Sequence, residues 1–320
     1  MSSTYTERIN FIQKNFGKGV ISRDGNDITI SCPTCGSASK KKLAINLDTW
    51  KYHCWVCSAR GNSLVSLLRK HSSRDVVDYY RSHFLNQSLM HADGVEPIEE
   101  KVHLPDAFCP IVCAKKLLPD QKAVVKYLNK RGLTEHDMWK YRVGFSSDSK
   151  FARRAIFASL DTEGDVNYFV SRSVDNSSRF RYLNASADKT AIIFNDIDID
   201  WDKKIFLVEG VFDLIALKEN GTCLLGSSLT ENSLLFKKIV ANESDVVLCL
   251  DNDMVKKTGK IADLLTEYGC NVSVMNTSSA KDLGEMTREQ IESAKERISQ
   301  WDMRSSFHYK IANIKSGSLI

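Results

Sequence analysis

Ile205-Phe206-Leu207-Val208-Glu209-Gly210-Val211-Phe212-Asp213 is the stretch on which the reading of this chain turns. Ile205–Val208 is a short apolar run of strand length. It ends in a carboxylate, then a glycine, and then an apparent helix that carries Asp213. Two further stretches repeat the grammar. Val246–Leu250 is apolar and runs into Asp251-Asn252-Asp253. The strand-like Asn271–Met275 precedes Lys281-Asp282-Leu283-Gly284-Glu285. Leu214–Lys218 and Ile261–Tyr268 have helical patterning, so strand and helix alternate. That predicts an α/β unit with parallel strands.

Carboxylates at the C-terminal ends of parallel strands line the crevice in which α/β sheets bind ligands. Grouped there they repel one another unless a divalent cation lies between them, and an oxygen-only donor set selects Mg²⁺ or Mn²⁺. The chemistry that fits is phosphoryl transfer. Any one of the three taken singly reads as a solvated strand end or turn. Three in this order, each after an apolar strand, read as a site.

Upstream stand Cys32-Pro-Thr-Cys35 and Cys54-Trp-Val-Cys57, two C-x-x-C knuckles. This is the tetrahedral all-cysteine zinc pattern, with Leu43 to Tyr52 as the hairpin of a ribbon. His53 is expected to flank the site rather than complete it. Cys109, Cys113, Cys223, Cys249 and Cys270 have no such pairing and read as small core or surface residues. Trp50, Lys51, Tyr52 and Trp55, with Lys40–Lys42 nearby, offer aromatic faces interleaved with positive charge, which suits single-stranded DNA. The alternative is that Trp50 and Tyr52 pack the ribbon's own core.

The chain has 320 residues, 42% hydrophobic and 26% charged, with a net charge of +4. That is room for a large domain and a small one. No run approaches the ~18–20 consecutive apolar residues of a membrane span, and Met1 to Lys14 does not read as a signal peptide. The expected setting is a cytoplasm, with no membrane partner. The boundaries read as a zinc-ribbon domain over 1–85, a linker over 86–106, a basic subdomain over 107–200, a catalytic domain over 201–300 and a polar, partly disordered tail over 301–320.

Glu209-Gly210 followed by Asp251-x-Asp253 resembles the Toprim domain of bacterial-type primases, topoisomerases and some nucleases. The likeness to DnaG-type primases extends further. It takes in Tyr127-Leu128-x-x-Arg131-Gly132-Leu133, Val143-Gly144-Phe145, and Arg153-Arg154-Ala155-Ile156-Phe157 through Arg172. It continues in Arg181-Tyr182-Leu183-Asn184 and Leu225-Gly226-Ser227-Ser228-Leu229-Thr230, with the knuckles first in order. The resemblance implies a Toprim-type parallel sheet core, an α+β basic subdomain and a small N-terminal zinc ribbon. It departs from the family at the third motif, where Asp282 is followed by Leu-Gly-Glu285, and in having four cysteine ligands, a trait closer to phage primases. No helicase-binding domain and no ATP-binding phosphate loop follow, so the expectation is a compact primase whose replicative helicase is a separate protein.

The resemblance further implies that Arg154, Arg172 and Arg181 hold template backbone or incoming triphosphate, that Tyr182 lies with them, and that Asn184 sits near the nucleotide. Asp251, Asp253 and Asp282 would bind Mg²⁺, with Glu209 as ligand or proton carrier and Asp213 supporting the metal or a basic neighbour. Lys51 and Trp55 would meet template. The ribbon would engage single-stranded DNA, and nucleoside triphosphates would be joined into an RNA primer. Lys150 and Arg179 are expected to be solvated surface charges. The rival readings are a Toprim nuclease, which uses the same acids to cut, a topoisomerase, for which 320 residues leave little room, and a non-catalytic zinc-dependent DNA-binding subunit of a primosome.

Overall fold

The computed structural model describes residues 5–36, 41–85, 102–226, 228–251, 255–276 and 283–315. The chain divides into two compact units: Met1–Pro97 with Lys237–Ser244 and Leu265–Cys270, and the remainder.

The first unit begins with helix α1 (Tyr5–Phe16) and continues as a meander of β1 (Val20–Ile21), β2 (Asp27–Ile30), β3 (Leu43–Asn46), β4 (Tyr52–Cys54) and β5 (Arg60–Gly61), all antiparallel in chain order. The hairpin expected over Leu43 to Tyr52 is the β3–β4 pair, in which Leu43 faces Cys54 and Ile45 faces Tyr52. In β2 and β3 alternate residues are buried, the period-two signature of a sheet with one covered face. Helices α2 (Val65–His71) and α3 (Arg74–Tyr80) follow. Phe11, Trp50, Tyr80 and Phe84 pack together in this core, with the Trp50 ring 5.1 Å from Tyr80 and 4.9 Å from Phe84. Trp50 and Tyr52 are therefore core residues, 1% and 6% exposed, and their faces are closed to nucleobases. Of the aromatic set proposed for DNA, Trp55 alone faces out.

The second unit opens with an antiparallel sheet of β6 (Cys109–Pro110), β7 (Val143–Phe145), β8 (Arg154–Leu160) and β9 (Val166–Ser173), in that order. Helices α4 (Pro119–Lys130) and α5 (Glu135–Lys140) lie between β6 and β7 in sequence. A second, mainly parallel sheet follows. The chain order there is β10 (Ile205–Val208), α6 (Val211–Leu217), β11 (Gly221–Cys223), α7 (Leu234–Ala241), β12 (Val246–Cys249), α8 (Val255–Glu267), β13 (Val272–Val274), α9 (Arg288–Glu296) and β14 (Ser299–Gln300), with α7 from Lys237 and α8 from Leu265 counted in the first unit. Strand order is β11-β10-β12-β13-β14, with only β14 antiparallel. The strands read as unbroken apolar runs because both faces are covered: all four residues of β10 and of β12 are buried. β11 crosses so close to β10 that a Cβ on Gly221 would strike the Phe206 carbonyl.

One hydrophobic core runs through both sheets of this unit, joining Leu128, Phe157 and Val170 to Val208, Phe212, Val247 and Ile291. Part of the stretch expected as a polar tail is ordered. Met303–Lys315 forms helix α10, and Tyr309 packs its ring where a side chain on Gly259 would stand and hydrogen-bonds the Lys256 carbonyl. The sequence signal was weak because α10 has no clear apolar stripe. No helix among the described residues is long and apolar enough to cross a membrane.

Candidate functional site

In the parallel sheet the first strand, β10, lies between the second, β11, and the third, β12. Strand order therefore reverses at β10, and the crevice beyond the carboxyl ends of β10 and β12 is the topological switch point, where open α/β sheets bind ligands. Val208 pairs with Cys249 there. Glu209 follows the first and Asp251 lies two residues beyond the second, so both arrive at one sheet edge. Asp253 and Asp282 lie outside the described residues.

Glu209 is poised but incompletely used. Its Oε1 is 3.9 Å from Lys257 Nζ on α8, and its buried Oε2 has no hydrogen-bond partner. A buried carboxylate oxygen without a partner is costly, on the order of 1–3 kcal/mol. It is retained where a ligand completes it. Lys257 was not anticipated; the only hint was a Lys-Lys pair following the second acidic motif.

Asp213 is used differently. Its Oδ2 accepts the Gly210 N–H at 2.9 Å, the reciprocal half of a capping box at the start of α6. Its Oδ1 accepts the Gly284 N–H at 3.0 Å. A Cβ on Gly210 would sit 3.3 Å from Oδ2, which is why a glycine stands between the carboxylate and the helix. Asp213 thus ties the turn Leu283–Glu285 to the start of α6, with Leu283 buried beneath it. The flank of the third acidic motif is held against the first. Glu285 itself points to solvent.

On the antiparallel sheet, Arg154 and Arg172 begin β8 and near the end of β9, and both are buried. Burial lowers the Arg154 guanidinium pKa from its ordinary value. Its Nη2 donates to the Phe180 carbonyl at 2.6 Å, while its Nη1 has no partner. The Arg172 guanidinium lies 4.7 Å from the Tyr182 ring centroid, and its Nε has no partner. Burial raises the Tyr182 phenol above its ordinary value, Arg172 opposes the rise, and Tyr127 and Asp213 add to it. Tyr182 therefore lies in electrostatic reach of both the arginines and the acidic motif. The buried Tyr127 hydroxyl is unpartnered as well. Arg131 packs over Tyr127 and over Phe212, the neighbour of Asp213, at 5.7 and 5.1 Å.

Three polar residues of this unit are engaged within the chain. Asn184 spends its Oδ1 on the Ser171 N–H, holding the strand rather than facing outward. Arg153 and Arg142 are engaged by acids: Arg153 with Asp175 at 2.7 Å and Asp120 at 3.2 Å, Arg142 with Asp198 at 2.9 Å. Arg179 and Arg181 are exposed.

In the first unit the ligand atoms of Cys32, Cys35, Cys54 and Cys57 all lie within 4.8 Å of one another. Cys32 Sγ is 3.8 Å from Cys57 Sγ, and Cys35 Sγ is 4.0 Å from Cys54 Sγ. A tetrahedral ion with sulfur ligands at about 2.3 Å sets an S···S edge of about 3.8 Å, so the four fit a metal centre. Burial pushes the Cys54 thiol up, yet hydrogen bonds from the Cys57 and Val56 backbone outweigh it and leave the thiol below its ordinary value. His53 is outside the cluster and packs edge-on against Trp55 at 4.4 Å. Trp55, 73% exposed, and Lys51, also exposed, sit on and beside the knuckle. Cys223 and Cys249 are buried in the other unit, where desolvation raises both thiols and keeps them unreactive.

Residues 206–287 match the family described as Toprim-like. The chain is 23% identical to a DNA primase of Thermotoga maritima over 87% of its own length and 57% of the relative's. It is 25% identical to a DNA primase of Campylobacter jejuni over 88% of its length and 54% of that chain. It thus spans little more than half the length of these relatives. A crystal structure of the zinc-binding and RNA polymerase domains of the Aquifex aeolicus primase aligns with 94% of this chain and 87% of that one, at 16% identity and a TM-score of 0.48. The chain is similar over most of its length to bacterial DNA primases and carries the Toprim-like domain in its parallel sheet.

Proposed function

We propose that this chain is a primase: a DNA-directed RNA polymerase that joins nucleoside triphosphates into a short RNA primer on single-stranded DNA. The observation that carries the reading is Glu209. It stands at the carboxyl end of the central parallel strand, at the switch point shared with Asp251, with a buried oxygen that has no hydrogen-bond partner among the described residues. An oxygen-only carboxylate crevice suits Mg²⁺ or Mn²⁺. Glu209, Asp251, Asp253 and Asp282 are the residues that would hold it. Bound there, the ion would supply charge stabilisation for phosphoryl transfer and lower the pKa of the attacking 3′-hydroxyl.

The chain's own residues do the positioning. Asp213 fixes the first and third acidic motifs together through backbone amides. Arg172, with Tyr182 stacked against its guanidinium, and Arg154 supply buried, fixed positive charge that would attract phosphate; guanidinium groups stay charged at any working pH. Arg181 faces solvent for the nucleic-acid backbone. In the first unit four thiolates suit Zn²⁺, which would staple the ribbon, leaving Trp55 and Lys51 to contact template. The replicative helicase remains a separate partner in this reading.

The test is direct. The full chain is mixed with single-stranded DNA, Mg²⁺ and four NTPs, one of them labelled, with and without a cognate helicase. Labelled RNA shorter than the template is expected. Cleavage of DNA in metal alone, with no NTP-dependent product, would overturn the reading in favour of a Toprim nuclease.

A further inference from the structure

Residues 179–182 read Arg-Phe-Arg-Tyr, and the structure exposes all four. Phe180 stands out. It is 60% exposed although it is a large apolar side chain, and it lies outside the hydrophobic clusters of the described residues. Single exposed apolar residues are common. What sets this one apart is how its backbone is held. The Phe180 carbonyl accepts from the buried Arg154 Nη2 at 2.6 Å and from Ser178 Oγ at 3.1 Å. On its C-terminal side Arg181 O accepts the Ser173 N–H at 3.0 Å, and Tyr182 bridges to Arg172. A buried charged donor therefore pins the residue from beneath, and the ring is presented outward from a fixed backbone. The Arg179 guanidinium lies 5.4 Å from the ring centroid.

We infer that Phe180 is a base-stacking platform for the unpaired template strand, with Arg179 and Arg181 meeting the phosphates on either side. Aromatic rings interleaved with arginines are the chemistry of single-strand binding, since every base has a π-face and every linkage a charge. An apolar protein partner would call for a contiguous patch, whereas this is one ring between two cations. The inference rests on the priming reading for its choice of strand: a growing RNA primer is paired to the template, so the bases free to stack belong to template DNA. Arg154 becomes a positioning residue through Phe180 as well as a buried positive charge, and Arg179 becomes a binding residue rather than a solvated charge.

The measurement is fluorescence anisotropy of the full chain with a fluorescein-labelled oligothymidylate, without NTPs or divalent metal. Phe180→Ala is expected to weaken binding about 5- to 100-fold, from the stacking contribution of one base. Phe180→Leu is expected to behave like Ala, and Phe180→Trp to bind at least as tightly as the parent. Arg179→Ala is expected to lower the salt slope by about one. The side chain is exposed, so thermal melting of each variant should match the parent and separates folding from binding. Wild-type affinity in Phe180→Ala or in Phe180→Leu overturns the inference. So does an equal loss on blunt duplex DNA, or a loss seen with oligouridylate but not with oligothymidylate. Failure of the parent chain to bind the DNA at all would instead sink the priming reading. RNA synthesis with unchanged binding by Phe180→Ala would sink this inference alone.

Discussion

The cysteine cluster and the carboxylate crevice both gather like charge into a small volume, but they do so by opposite routes. The four sulfurs come from two tight turns and already stand at tetrahedral spacing. The carboxylates come from separate strand ends, and within that crevice the roles divide. Asp213 is committed to two backbone amides, whereas Glu209 leans toward Lys257 with one oxygen unused. On the proposed reading the first arrangement is structural and should fail by unfolding, and the second is chemical and should fail by inactivity.

On that reading the largest effect should follow removal of metal from the cysteine cluster. Structural zinc contributes about 10–16 kcal/mol in small zinc domains. Chelation, or Cys54→Ser, is expected to unfold the ribbon, read as new proteolytic cleavage within residues 1–85 while the parallel-sheet unit stays resistant. Next come Glu209→Gln and Asp251→Asn. Each should cut RNA synthesis by about 100-fold or more, in line with the loss of a charge-stabilising group, with the melting temperature unchanged. A large fall in stability in either would collapse the distinction between the two sites. Asp213→Ala should sit between the two classes. It orphans two amide N–H groups, costing about 2 kcal/mol or more by denaturant unfolding, and it lowers activity indirectly.

Lys257→Ala sharpens the comparison from another side. Removing the cation that competes for Glu209 should lower the metal concentration needed for half-maximal activity by a few-fold. The smallest effect belongs to Asp137, at the start of α5. Burial raises its pKa, but the Thr134 amide and hydroxyl and Lys218 outweigh that and hold it below the ordinary value. A depressed carboxylate stabilises the fold above its unfolded pKa, about 3.9, and loses that contribution as pH falls through the lower folded value. Asp137→Asn should be less stable than the parent at pH 7 by denaturant unfolding, and the gap should close in acid.

The same contrast explains what could be read from sequence. Both knuckles are local, and a C-x-x-C turn fixes its two sulfurs whatever surrounds it. The strand-then-acid pattern was legible because β10 and β12 are buried on both faces and so appear as unbroken apolar runs. Their neighbourhood was not legible. Nothing in the spacing of Asp213 and Gly284 says that one accepts the other's N–H, and nothing local distinguishes the committed Asp213 from the poised Glu209. Trp50 and Trp55 make the same point. They flank the two ends of β4, Trp50 before it and Trp55 after it, yet one is core and the other 73% exposed, because the rings of Phe11, Tyr80 and Phe84 cover the first. Helix α10 was not legible because its sequence carries no clear apolar stripe.

The most direct test of the central claim uses homopolymer templates. With oligothymidylate, Mg²⁺ and all four labelled NTPs supplied in turn, the parent chain should incorporate ATP alone, and Glu209→Gln, folded to the same melting temperature, should incorporate none. Incorporation that ignores the template, or that survives in Glu209→Gln at the parent's rate, would contradict the account.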